Sequence, residues 1–164
     1  MKTLYLVRHA KSSWKYPDLD DFERPLNRRG RESLMLMGEF LKKKVTPDLI
    51  ISSPATRAAM TARIIADMIH YPIEKILYSE IIYLSDEDVL LHVIQDINDD
   101  VKEVMLIGHN PALTDLGNYI SDQQISNIPT CGIFCVELNI SSWINIGERR
   151  GKLKFFEFPG RHAS

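Results

Sequence analysis

Three short apolar runs, each cut off by a basic or imidazole side chain, constrain this chain most. They read L-Y-L-V-R-H-A at 4–10, I-I-S-S-P-A-T-R at 50–57 and V-M-L-I-G-H-N-P at 104–111. Residues that are apolar at every position, rather than at alternate ones, suit strands buried on both faces. Such strands need helices on each side of the sheet, and ligands of such folds sit beyond the carboxyl ends of the strands. The endings put Arg8, His9, Ser53 to Arg57, Gly108 and His109 at that edge. An imidazole beside guanidinium groups is a poor cation site and a good anion site. Together, Arg8, His9, Arg57 and His109 would form one pocket for a dianion, with a nucleophile inside it.

The intervening sequence supplies the helices. Leu34, Met37, Leu41 and Val45 lie near one face of a helix over about 30–44, and Pro47 follows its end. Ser53-Pro54 reads as the opening of a helix to about 69, with Ser53 as cap and Pro54 in the first turn. Residues 86–97 and 111–120 read as two more helices. Strands are expected at 3–7, 48–52, 76–79, 103–107, 132–138 and 153–158, the last two antiparallel. The alternation predicts a three-layer α/β/α sandwich with a mostly parallel, mixed sheet. Residues 11–29 read as a polar loop.

The chain has 164 residues, enough for one domain with a real core. Twenty basic residues face 22 acidic ones, for a net charge of −2. That balance gives no general attraction to nucleic acid or to anionic membranes, so neither is expected as a partner and anion binding must be local. The first apolar run is too short for a signal-peptide core, and no run approaches the roughly 20 residues of a membrane span. Cys131 and Cys135, four positions apart in an apparent strand, would lie roughly 13 Å apart. They are expected to be core thiols rather than a disulfide, in keeping with a cytoplasmic setting.

The chemistry of such a pocket is phosphoryl transfer. Arg8 and Arg57 can each grip two oxygens with a planar fork, and His109 adds a donor. His9 is the expected nucleophile, because nearby arginines disfavour imidazolium and keep its ring neutral. Glu80 is the first candidate for a proton donor, with Asp20, Asp21 and Glu23 behind it. A zinc site on His9 and His109 is disfavoured by the two arginines and by the lack of a suitably spaced third ligand, so no metal or other cofactor is expected. His70, His92 and His162 read as structural or solvated. Trp14 and Trp143 read as packing residues that could border the pocket.

In combination these segments resemble the histidine phosphatase superfamily, also called phosphoglycerate-mutase-like. Its pattern of R-H-G or R-H-A, then S-P-x-x-R, then a distal G-H is matched by Arg8-His9-Ala10, Ser53-Pro54-Ala55-Thr56-Arg57 and Gly108-His109. R-H-A-K-S-S-W at 8–14 and R-P-L-N-R-R-G-R at 24–31 are similar to the short phosphohistidine phosphatase branch. The resemblance implies that His9 is phosphorylated and that Arg8, Arg57 and His109 hold phosphate, with Arg24 lining the pocket. It matches Glu80 to the superfamily's usual acid, an arrangement from which the short branch often departs. Only 52 positions separate Arg57 from His109, which leaves little room for the lid of mutase-type members. One histidine phosphatase domain over 1–164, without a sizeable lid, is therefore expected. The expected activity is metal-independent removal of phosphate through a phosphohistidine intermediate, with phosphohistidine on a protein as substrate. A phosphomonoesterase acting on a small phosphorylated metabolite, such as a sugar phosphate or nucleotide, is the alternative. A non-catalytic phosphate-binding scaffold is the alternative of another class. Residues 141–151 and 159–164 suggest no function.

Overall fold

The structure, a computed structural model, describes residues 1–161. Six strands form one sheet: β1 (Lys2–Arg8), β2 (Leu49–Ser52), β3 (Leu77–Tyr78), β4 (Glu103–Gly108), β5 (Ile133–Leu138) and β6 (Gly151–Glu157). Their order is β3-β2-β4-β1-β5-β6. The pairs β1–β4, β2–β4 and β2–β3 are parallel, while β1–β5 and β5–β6 are antiparallel. This is the mixed, mostly parallel sheet expected from the uniformly apolar strands.

Four helices cover it: α1 (Arg28–Lys44), α2 (Thr56–Met68), α3 (Glu87–Gln95) and α4 (Ala112–Ile120). Alternate strand residues point to opposite faces. Leu4, Leu6, Val104 and Leu106 accordingly pack with Leu90 and Ile94 of α3 and Leu113 and Leu116 of α4. Tyr5, Val7, Met105 and Ile107 pack on the other side with Leu34, Met37 and Leu41 of α1 and Ala58, Ala62 and Ile65 of α2. Each fully buried large aliphatic side chain contributes roughly 1.5–3 kcal/mol, so the two apolar layers dominate the stability of this fold.

Register places the site. Arg8 of β1 lies opposite Gly108 of β4, and Ser52 of β2 opposite Ile107. The three apolar runs thus end level at one edge of the sheet. Both cysteines are buried and free, and burial pushes each thiol up to about 12. Trp143 is fully buried and far from this edge. Its indole donates to the Val101 carbonyl, and it packs by Lys2 at the start of β1. No helix among the described residues is long and apolar enough to cross a membrane.

Candidate active site

His9 leaves β1 at its end, and its backbone N–H donates to the Gly108 carbonyl at 3.2 Å. The next residue anchors it to α2: Ala10 N–H donates to Thr61 Oγ1 at 3.0 Å, and that hydroxyl donates to the Arg57 carbonyl at 2.8 Å. His9 and Arg57 are therefore fixed relative to one another through Thr61. The ring is buried, and its Nδ1 lies 2.7 Å from the Ala10 carbonyl. A carbonyl can only accept, so Nδ1 carries the hydrogen and the lone pair of the neutral ring is on Nε2. Burial pushes His9 down to about 4, helped by Arg57, Arg8 and Arg24.

The ring of His109 lies 5.2 Å from that of His9, centroid to centroid. Its Nε2 is 2.8 Å from Ser53 Oγ, and its Nδ1 is buried without a hydrogen-bond partner among the described residues. Burial, with the positive side chains around it, pushes His109 down to about 3. Both imidazoles are therefore neutral near pH 7. Ser53 is not the cap of α2, as the sequence suggested. Its hydroxyl faces His109 and accepts from Ala55 N–H in a tight turn, and the helix begins at Thr56 with no side-chain cap. Arg57 is consequently the second residue of α2, in the turn whose N–H groups are free.

Arg8 donates from Nη1 to the Ile128 carbonyl at 3.0 Å, while its buried Nε has no partner. Asn110, which follows His109, ties down the same loop. Its amide donates to Asn127 Oδ1 and the Ile128 carbonyl, and its oxygen accepts from Thr114. Asn110 is a supporting residue that sequence reasoning missed, although it stands inside the G-H-N-P segment.

The first loop closes one side of the pocket. Arg24 is buried and donates to the Ser13 carbonyl, Ser12 Oγ and Asp21 Oδ1. Asn27 caps α1 by accepting from Gly30 N–H and also donates to the Ser12 carbonyl. Trp14, read above chiefly as a packing residue, is instead 80% exposed, with the Arg24 guanidinium 3.3 Å from its ring centroid. Arg8, His9, Lys11, Trp14, Arg24 and Arg57 together line a recess of about 390 Å³, a volume suited to a small anionic group.

The acids fall differently from expectation. Glu80 is exposed and lines a neighbouring recess with Ile81, Tyr83, Leu84, Val89 and His92. It does not line the recess of His9, and the two recesses are linked through Tyr83, whose hydroxyl reaches Asp21. Asp20 is an N-cap, accepting from Glu23 N–H. Asp21 is the carboxylate that reaches the arginines. Arg57 donates to its backbone oxygen at 2.6 Å and to Oδ2 at 3.0 Å, Arg24 donates to Oδ1 at 2.9 Å, and Tyr83 OH donates to Oδ2 at 2.5 Å. The Tyr83 hydroxyl, then Arg57 and Arg24, hold Asp21 well below the usual carboxylate range. His70 and His92 are exposed, as expected, and His162 lies outside the described residues. No group of three or more potential metal ligands occurs among the described residues.

Fold and site together define a phosphoglycerate-mutase-like α/β protein with two neighbouring imidazoles and a basic recess at the carboxyl edge of its sheet. Residues 4–76 match the model of the histidine phosphatase superfamily (branch 1). An uncharacterized protein of Mycobacterium leprae is 32% identical, covering 93% of this chain and 99% of its own. A candidate phosphohistidine phosphatase, SixA, from Agrobacterium tumefaciens is 28% identical, with a TM-score of 0.78 over 95% of this chain and 97% of that one. A protein histidine phosphatase SixA in complex with tungstate, 22% identical, shares the fold with a TM-score of 0.83 over 98% and 99% of the two chains. The chain belongs to the histidine phosphatase superfamily and resembles its short, SixA-like members. Membership supports a phosphatase-type hydrolase with phosphorylated substrates.

Proposed function

We propose that this protein is a metal-independent phosphatase that passes the phosphoryl group through His9, with phosphohistidine on a protein as its preferred substrate. His9 Nε2 attacks phosphorus in line, the bond to the leaving nitrogen breaks, and water then hydrolyses the phosphohistidine. Arg8 and Arg57 grip the equatorial oxygens, His109 adds a donor, and Arg24 closes the pocket. The chain works as a single unit over 1–164 without a large lid, inside a reducing cytoplasm where its two thiols stay free.

The observation that carries the choice of substrate is the state of Asp21. The carboxylate that touches the pocket arginines is ionised and bonded to three donors. It has no proton to give, and Glu80 does not line the recess of His9. A phosphate ester would expel an alkoxide and needs an acid. A phosphorylated imidazole has a second ring nitrogen that takes a proton from water, so it leaves as neutral imidazole.

Rates on a histidine-phosphorylated protein and on phosphoramidate, compared with sugar phosphates and nucleotides, test this. The P–N substrates are expected to be preferred, with activity unchanged by chelator. A strong preference for esters would replace this reading with the small-molecule phosphomonoesterase. Loss of activity with chelator would bring back a metal site, and no turnover of any substrate would leave a binding scaffold.

A further inference from the structure

Tyr83 belongs to none of the motifs read above, yet three parts of the pocket meet on it. It follows the short turn Glu80–Ile82 after β3. Its hydroxyl donates to Asp21 Oδ2 at 2.5 Å, and the same oxygen accepts from Arg57 Nη2 at 3.0 Å. Its ring stands edge-on to His109, with centroids 5.6 Å apart and planes at 73°. It is also edge-on to Phe22, the neighbour of Asp21, at 4.9 Å and 87°. The Arg57 guanidinium lies 5.9 Å from its centroid.

A guanidinium recognises an oxyanion through the plane of its fork, so a fork set before the ligand arrives binds better than one still free to turn. Asp21 sets that plane by taking one hydrogen from each terminal nitrogen of Arg57. Asp21 itself is on an exposed loop, with its side chain 51% accessible. It needs a fixed partner in turn. Tyr83 is half-buried and wedged against His109, and it supplies one.

We propose that Tyr83 is a positioning residue: through Asp21 it holds the fork of Arg57 in its oxyanion-binding plane, and through its ring it braces His109. The proposal rests on reading the pocket as a phosphoryl site.

Tungstate titration by calorimetry tests it without turnover, using wild type, Tyr83→Phe, Asp21→Ala and the double variant. Phenylalanine keeps the ring and the net charge and removes only the hydroxyl. Tyr83→Phe is expected to weaken tungstate binding about fivefold to twentyfold in the wild-type background and less than about twofold when Asp21 is alanine. Equal weakening in both backgrounds, or none in the wild-type background, would overturn the proposal. Should Asp21→Ala not fold, Asp21→Asn takes its place. It still accepts from the hydroxyl but lacks the charge, so the effect of Tyr83→Phe should shrink without vanishing; an undiminished effect would count against the proposal. A wild type that binds tungstate yet turns over no substrate would remove the proposed reaction, and the binding cycle would still decide the role of Tyr83.

Discussion

Arg57 gives both of its terminal nitrogens to one residue, Asp21, reaching its backbone oxygen at 2.6 Å and its carboxylate at 3.0 Å. This contact joins the loop after β1 to the start of α2. Asp21 is held well below the usual carboxylate range by Tyr83 first, then by Arg57 and Arg24. A carboxyl group whose pKa falls on folding stabilises the native state above its unfolded pKa, about 3.9. That stabilisation is lost as pH falls below this value toward the folded pKa. Asp21→Asn is therefore expected to lower the melting temperature at pH 7 and to converge on wild type toward pH 2. A difference that stays constant over that range would mean that the ionised carboxylate is not what the loop depends on.

The two imidazoles add to the same acid sensitivity, at higher pH. Burial keeps His9 and His109 neutral, with values of about 4 and about 3. Their ring-proton NMR signals should not titrate above about pH 5, whereas an ordinary histidine has its midpoint near 6.5. Between about pH 6.5 and 4 the unfolded chain takes up protons that the native rings refuse, so stability falls as pH is lowered. His9→Asn should flatten that slope. A His9 midpoint near 6.5 would contradict the lowering of its pKa by burial.

Arg57 should not tolerate lysine. The fork both meets Asp21 and offers its remaining N–H groups to an oxyanion, and an ammonium reproduces neither geometry. Arg57→Lys is expected to lower kcat/KM by about 10²-fold to 10³-fold, the scale of losing one positioned donor to developing charge. Steady-state kinetics on phosphoramidate measures it. A loss below about threefold would mean that Arg57 does not touch the reacting group.

Gly30 is a structural test of the same loop. A Cβ there would lie 2.2 Å from the Lys11 carbonyl oxygen, a backbone atom that cannot swing away. The first turn of α1 thus packs directly on the segment leaving β1. Gly30→Ala is expected to destabilise the fold by more than about 2 kcal/mol in denaturant unfolding, despite alanine's higher helix propensity. A neutral or stabilising result would contradict the close approach.

The sheet and its helices were legible because the signals are local: uniformly apolar strands, apolar stripes on the helices, and proline at their ends. The edge placement of Arg8, His9, Arg57 and His109 was legible for the same reason: Arg8 ends β1, His9 and His109 directly follow β1 and β4, and Arg57 lies in the first turn of the helix after β2. What escaped is long-range. Glu80 follows the short strand β3, so its position in sequence pointed to the pocket, but its side chain lines the neighbouring recess. Asp21 sits in a polar loop with no periodicity, and only its tertiary contacts with Arg57 and Tyr83 distinguish it from Asp20. Ser53 reads as a helix cap by residue type, yet its hydroxyl is engaged by His109, 56 positions away. Tyr83 had no signal at all beyond being aromatic.

The central claim is that His9 Nε2 takes the phosphoryl group. Brief reaction with phosphoramidate, quenching in alkali where phosphohistidine survives, and peptide mass spectrometry would read it directly. Phosphate is expected on His9, and no phosphoenzyme in His9→Ala. Phosphate on His109 instead, or full turnover by His9→Ala, would contradict the account.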